Sequence, residues 1–274
     1  MTSVLIIGSS HIGALKNAED RFAPTHPELA LSWFGMRGPE FLQGTFADDG
    51  VFQPATRNDA DRDLLRRTNG KAEIATQGYD RLVMIGYRFG FDDIASLLEH
   101  HDLLGTDARA VRPALELPLI EDAIDMLIDV TLAPLCDMLA PLDRPATLIL
   151  APYPAQGITA RAPKMDMARE LAAFWNHPAA ATVFELWQNR VSARIAQAGH
   201  DLLLQPTETI AAPFATQDRF AQSPEQFDGT PMRAPDFRHM NADYGHAVLT
   251  ALAARLTTAE TAPRPAPTLI NERI

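Results

Sequence analysis

Residues 4–11 read Val4-Leu5-Ile6-Ile7-Gly8-Ser9-Ser10-His11. Four consecutive aliphatic residues predict a strand buried on both faces, and Gly8-Ser9-Ser10 predicts a sharp turn into a helix from His11 to about Asp20. Such a turn lies at the carboxyl edge of a parallel sheet, where open α/β folds keep their sites. On this stretch alone, a helix N-cap is the favoured role for Ser9 or Ser10. The rest of the chain must decide whether one of them is a nucleophile.

Strands and helices are predicted to alternate along the remaining chain. The pattern at 115–139 fits one long helix or two helices broken at Pro134. Crossovers of this length indicate a mostly parallel sheet with helices on both faces. The further strands are expected at 29–34, 80–86, 146–151 and 202–204, and the other helices at 92–101, within 164–198 and at 241–256.

Two segments depart from this alternation. Residues 39–79 read as an irregular insertion with short strands near Phe46 and at Val51-Phe52, and with a short charged helix at 59–67. Long connections of this kind often cover a substrate, and a merely decorative loop is an equal alternative. Residues 259–274 read as a proline-rich tail, so we expect one domain over 1–258.

Composition limits the classes of partner. A formal net charge of −11 and a pI near 5.1 argue against nucleic acid. The single cysteine, Cys136, excludes an internal disulfide, and neither the cysteine nor the histidines are spaced as metal ligands, so no metal or other cofactor is predicted. The amino-terminal apolar run lacks a basic segment and is only a strand long. We therefore predict a cytoplasmic protein without a signal peptide or membrane partner.

A second motif near the carboxyl end changes the interpretation of the first. Asp236-Phe237-Arg238-His239 places a carboxylate and an imidazole three residues apart, just before the closing helix. A serine needs a base to become a nucleophile, and a catalytic histidine needs a group that fixes its tautomer. Ser10, His239 and Asp236 could supply these three roles.

Together the two motifs resemble those of the SGNH (GDSL-type) hydrolase superfamily. Its members carry Gly-Asp-Ser after the first strand and Asp-x-x-His near the carboxyl end, and the two matching segments here span nearly the whole chain. The resemblance implies a three-layer α/β/α sandwich with a flavodoxin-like five-stranded sheet. It makes Ser10 the nucleophile, with Ser9 in place of the usual aspartate, His239 the base and Asp236 its partner.

The central motifs of the family match less closely. Gly38, with Gly35 close behind, is the candidate for the glycine that supplies an oxyanion-hole N–H. The family's Gly-x-Asn-Asp falls at Gly86-Tyr87-Arg88-Phe89, so its asparagine is absent here. Arg88 could donate in its place, bind an anionic part of the substrate, or serve only as a salt-bridge residue.

Two further residues are candidates for the site. His11 could orient Ser10, face the pocket or simply pack. Tyr153, in the turn Pro152-Tyr153-Pro154, could line the pocket or only stiffen the turn.

The resemblance implies a serine esterase that removes a small acyl group, with deacetylation of a carbohydrate as the family-typical case. An acyltransferase to a sugar or other acceptor is one alternative. A non-catalytic binding protein in which Arg88 grips an anionic ligand is another. The oligomeric state is not indicated by the sequence.

Overall fold

The computed structural model describes residues 1–105, 112–142, 144–233 and 236–261. Its strands are β1 (Thr2–Gly8), β2 (Leu29–Gly35), β3 (Thr45–Phe46), β4 (Val51–Gln53), β5 (Ile74–Ala75), β6 (Arg81–Tyr87), β7 (Asp102–Leu103), β8 (Ala114–Leu115), β9 (Thr147–Leu150), β10 (Asp201–Leu203), β11 (Ile210–Ala212) and β12 (Ala215–Thr216). Its α-helices are α1 (Ile12–Lys16), α2 (Glu19–Phe22), α3 (Gly38–Leu42), α4 (Asp59–Asn69), α5 (Phe91–His100), α6 (Leu117–Leu139), α7 (Ile158–Arg161), α8 (Asp166–Trp175), α9 (Ala180–Gln197) and α10 (Ala242–Thr261). Short 3₁₀ turns lie at Ala23–Thr25, Thr207–Thr209 and Asp218–Ala221.

The central sheet has five strands in the order β2-β1-β6-β9-β10, and all of its pairs are parallel. Counted along the chain, these strands stand in the spatial order 2-1-3-4-5, which is the flavodoxin-like order. The predicted sheet is confirmed. The first strand lies in its interior, so the turn after Gly8 emerges between two neighbouring strand ends.

Alternate residues of β1 belong to two separate cores. Val4 and Ile6 join a cluster with α1, α2 and α10, whereas Leu5 and Ile7 join a larger cluster with α5, α6, α8 and α9. All four side chains are fully buried. Because successive side chains of a strand point to opposite faces, this division places helices on both sides of the sheet and confirms the three-layer architecture.

Helix α6 is a single helix that continues through Pro134. A proline inside a helix costs about 3 kcal/mol. The apolar face of α6 buries Ile120, Ile124, Ile128 and Leu135, and each buried aliphatic side chain contributes about 1.5–3 kcal/mol. Burial therefore outweighs the cost of the proline, and one of the two predicted alternatives is selected.

The segment after β2 is more regular than its sequence pattern suggested. The short strands near Phe46 and Val51-Phe52 form, with β5 as a third member, an antiparallel sheet in the order β3-β4-β5. The charged helix is α4, capped by Asn58, whose Oδ1 accepts from the Asp61 N–H at 3.0 Å. Strands of two or three residues leave almost no periodicity to detect, so the order of this segment could not be read from the sequence.

The carboxyl-terminal helix is longer than expected. Helix α10 continues to Thr261, past the predicted boundary at residue 258. The rest of the predicted proline-rich tail, 262–274, lies outside the described residues. Over the described ranges, no helix is long and apolar enough to cross a membrane.

Candidate active site

Three strand ends lie level at one edge of the sheet. Gly8 pairs in register with Gly35 of β2 and with Ile85 of β6. The segments that follow these three strands therefore leave the sheet side by side: residues 9–11 after β1, residues 36–38 after β2 and the residues from Arg88 onward after β6. Ile12 N–H donates to the carbonyl of Ser9 at 3.0 Å, which turns the chain into α1. Ser9 is buried and Ser10 is exposed, so Ser10 is the serine that a substrate can reach.

The loop before α10 is anchored on both sides. Phe237 and Met240 are buried in the larger and smaller cores respectively. The N–H of Ala155 donates to the carbonyl of Phe237 at 2.8 Å, and that of Asn241 to Phe220 at 2.7 Å. These contacts fix the backbone between the two anchors and hold Asp236 and His239 at the sheet edge.

Ser10, His239 and Asp236 form a continuous hydrogen-bonded relay. Ser10 Oγ lies 2.8 Å from His239 Nε2, across 229 positions of sequence. His239 Nδ1 lies 2.8 Å from Asp236 Oδ2. The backbone N–H groups of Arg238 and His239 each donate to Asp236 Oδ1 at 2.8 Å. The carboxylate is thus held by its own turn as well as by the imidazole.

The charge on Asp236 sets the tautomer of His239. Burial raises the pKa of Asp236, but hydrogen bonds from the His239 side chain and from the N–H groups of His239 and Arg238 outweigh it and lower that pKa to about 2. An ionised carboxylate only accepts hydrogen bonds. His239 Nδ1 must therefore carry the proton that it donates to Asp236, which leaves the Nε2 lone pair free to accept from Ser10. This is the protonation state that a general base requires.

His11 stacks on the face of His239. The ring centroids are 5.0 Å apart and the ring planes meet at 28°. Burial is the largest cause that holds the pKa of His11 well below 6.5; the neighbouring His239, Arg88 and Arg238 act in the same direction, and Asp236 acts against them. Its Nδ1 is buried and has no hydrogen-bond partner among the described residues. His11 therefore contacts the relay rather than only the helix that it begins.

Gly86 lies behind the nucleophile turn and does not face solvent. It forms the bulge where the pairing of β6 with β9 shifts register, and its φ is +131°. A Cβ at this position would lie 2.3 Å from Ser9 Oγ. Glycine is required here both by its backbone conformation and by the close approach of Ser9, so Gly86 shapes the turn from below.

Among the candidate oxyanion donors, the backbone of Gly38 is free and that of Gly35 is committed. Gly35 N–H donates to Asn69 Oδ1 at 2.8 Å. No described acceptor bonds the N–H of Gly38, the first residue of α3, or that of Ser10. Ser10 lies two residues after Gly8, and Gly38 lies three residues after Gly35. Because Gly8 and Gly35 are paired, both N–H groups lie just beyond the ends of neighbouring strands.

Arg88 makes the salt bridge considered in the sequence. Its Nη1 donates to both carboxylate oxygens of Asp92, at 2.9 and 3.2 Å, and its guanidinium lies 5.4 Å from the Phe91 ring centroid. Its positive charge also lowers the pKa of His11, after burial and His239. Arg88 thus lies close enough to the relay to act on it electrostatically, with part of its charge neutralised by Asp92.

Tyr153 does not lie at the open edge. Its ring is fully buried within the larger core and packs against Phe91, Trp187 and Phe214. Its backbone N–H donates to Gln205 Oε1 at 2.9 Å. The expected pocket-lining role is therefore corrected: the tyrosine follows a strand at the active edge, but its side chain points into the protein.

Two asparagines support the site and were not singled out from the sequence. Asn241 Oδ1 accepts from the N–H groups of Asp243 and Tyr244 and caps α10, two residues after His239. Asn69 bonds both backbone groups of Gly35. An asparagine before a helix is a readable cap signal, whereas the pairing of Asn69 with a residue 34 positions away has no local signature.

Comparisons with known proteins give only loose structural matches. No family model matches the chain, and no curated protein matches its sequence. A candidate arylesterase from Agrobacterium tumefaciens str. C58 matches 94% of this chain and 99% of its own, with 16% identity and a TM-score of 0.40. The periplasmic domain of a lipopolysaccharide acetyltransferase from Salmonella ser. Paratyphi A matches 93% of this chain and 83% of its own, with 11% identity and a TM-score of 0.40. Similarity at this level does not establish the function of this chain.

Proposed function

We propose that this protein is a serine hydrolase that cleaves a small acyl ester through an acyl-enzyme on Ser10. The observation that carries the proposal is the relay in which Ser10 Oγ bonds His239 Nε2 and His239 Nδ1 bonds Asp236, both at 2.8 Å. These distances lie within the range needed for direct proton transfer. Ser10 is also exposed, as a nucleophile must be.

The reaction follows from this geometry. Ser10 Oγ attacks the acyl carbon while its proton passes to His239 Nε2. Asp236 stabilises the resulting imidazolium and remains ionised, because its pKa is about 2. Collapse of the tetrahedral intermediate breaks the ester bond, and the leaving alkoxide takes the proton from His239. His239 then takes a proton from water, and the hydroxide adds to the acyl carbon. The acyl–Oγ bond breaks, the carboxylic acid leaves, and His239 returns the proton to Ser10 Oγ.

The oxyanion would be stabilised by the unbonded N–H groups of Ser10 and Gly38. A missing donor typically costs about 10²–10³ in rate. Arg88 is the candidate to replace the asparagine that the SGNH superfamily has at this place, although its hydrogen bonds to Asp92 reduce the charge that it can offer. We therefore expect slow turnover of unactivated esters and faster turnover of aryl esters, whose leaving groups are better.

The test is covalent labelling by a fluorophosphonate together with hydrolysis of a short-chain aryl ester. The wild-type protein should be labelled stoichiometrically, and Ser10→Ala should lose labelling and at least about 10⁴-fold in kcat. Ser9→Ala is the matched control and should keep both, since the Ser9 hydroxyl is buried and makes no bond to a described residue. Labelling that survives Ser10→Ala would contradict the proposal. Turnover that requires an added sugar alcohol would instead indicate acyl transfer.

A further inference from the structure

The ring of His11, which stacks on that of His239, affects how the proposed catalytic base is held. His239 is held at Nδ1 by Asp236 and at Nε2 by Ser10, each at 2.8 Å. Two hydrogen bonds at the nitrogen atoms of a ring leave the ring free to rotate about the line that joins those atoms. The face contact with His11, at 5.0 Å between centroids, supplies the missing constraint.

We infer that His11 is a positioning residue: its neutral ring packs on the face of His239 and keeps Nε2 directed at Ser10 throughout the reaction. The inference rests on the proposed function. It assigns His11 no proton transfer and no contact with substrate.

His11 must remain neutral for this role, because His239 becomes cationic in each half-reaction and a second cation stacked on it would oppose that step. The charged groups that surround His11 act in the required direction. Burial is the largest effect that disfavours a charge on His11. His239 and Arg238, in the loop before α10, and Arg88, just after β6, act in the same direction. Asp236 favours the charge, and its effect is smaller than that of burial. A neutral ring can also lie against an imidazolium without penalty, as aromatic faces do with cations.

The His11 side chain is unusual in making no hydrogen bond to a described residue. Its Nδ1 is buried and unpartnered. A residue conserving only the flat ring should therefore replace it without breaking a hydrogen bond. This separates positioning by the ring from a chemical role of the nitrogen atoms and gives a matched pair of variants, His11→Phe and His11→Ala.

The experiment compares these variants by active-site titration with a fluorophosphonate, followed by steady-state kinetics of aryl ester hydrolysis. His11→Ala should lower kcat per titrated site by roughly 10- to 100-fold, as expected for a misaligned base, with KM little changed. His11→Phe should restore most of kcat.

The control for these variants is another histidine. His246→Ala removes another partly buried histidine, one that packs on Phe22, and should leave kcat and KM unchanged. If His11→Ala loses only thermal stability and keeps the wild-type kcat, the inference is wrong. If His11→Phe is as impaired as His11→Ala, a nitrogen atom is needed and the positioning role is also wrong. Absence of labelling in the wild-type protein would overturn the proposed function itself, which is a different result.

Discussion

At the scale of single residues, the site depends on how its charges are balanced. The carboxylate of Asp236 accepts three hydrogen bonds, two from backbone N–H groups and one from His239. Carboxylates held in this way favour the ionised form. His239 therefore always faces a negative charge at Nδ1 in the pH range where its Nε2 can act as a base.

Replacing Asp236 with asparagine tests this balance. An amide in its place can donate as well as accept, which permits the tautomer of His239 with the proton on Nε2, so kcat should fall by about 10³- to 10⁴-fold. In the wild-type protein the folded pKa, about 2, lies below the ordinary value of 3.8. Ionised Asp236 therefore stabilises the fold above about pH 4, and this contribution disappears as the pH falls towards 2.

The measurement is thermal unfolding of wild-type and Asp236→Asn protein at several pH values between 7 and 2. The wild-type advantage should be constant near neutrality and should shrink below pH 4. An advantage that persists undiminished at pH 2 would contradict the depressed pKa of Asp236.

At the scale of elements, what could be read from the sequence depended on whether the signal was local. The buried strand 4–7, the Asp-x-x-His spacing and the turn after Gly8 are local patterns. The structure brings the side chains of Ser10, His239 and Asp236 together. The role of α4 is not local. Its last residue, Asn69, accepts from Gly35 N–H at 2.8 Å and donates to the Gly35 carbonyl at 2.9 Å, which continues the edge of β2 as another strand would.

The same contrast explains why the sequence left two roles open for Tyr153 and did not show how the short strands of the 39–79 segment pair. A strand end predicts which edge a residue occupies, but the direction of a side chain in the following turn depends on packing. Tyr153 turns inward, where Phe91, Trp187 and Phe214 pack around its ring. Such arrangements involve residues far apart in sequence, and no pattern around residue 153 encodes them.

The two hydrogen bonds between Asn69 and Gly35 predict that α4 positions the segment from Gly35 to Gly38, whose last residue is the proposed oxyanion donor. Asn69→Ala leaves the N–H and carbonyl of Gly35 without these partners, which costs about 1–3 kcal/mol of the free energy of unfolding. Because Gly35 precedes Gly38 by three residues, kcat should also fall. Asn58→Ala is the control at the opposite end of the same helix. It removes an N-cap worth about 1 kcal/mol and should not change kcat. Equal kinetic effects of the two variants would show that α4 acts only through overall stability.

At the scale of the whole molecule, the proposed reaction requires that two segments near opposite ends of the chain meet. Ser10 precedes α1 and His239 precedes α10, and these helices pack together on the same face of the sheet. They approach closely at Gly245, where a Cβ would lie 1.9 Å from the carbonyl oxygen of Ala14. A backbone contact this close admits no side chain.

Gly245→Ala should therefore push α1 and α10 apart and, with them, Ser10 and His239. Alanine favours a helix over glycine by about 1 kcal/mol, so a gain in stability would be expected if the helix were isolated. Here the methyl group must displace the backbone of α1, and overpacking of this kind typically costs about 1–3 kcal/mol or more. We expect a lower melting temperature and a loss of kcat larger than the unfolded fraction explains, because Ser10 and His239 sit on opposite sides of the displaced contact. Thr250→Ala, at an exposed position of α10, should change neither. A Gly245→Ala protein that is more stable and fully active would mean that the two helices can separate without moving the relay, and that the sheet edge alone positions Ser10 against His239.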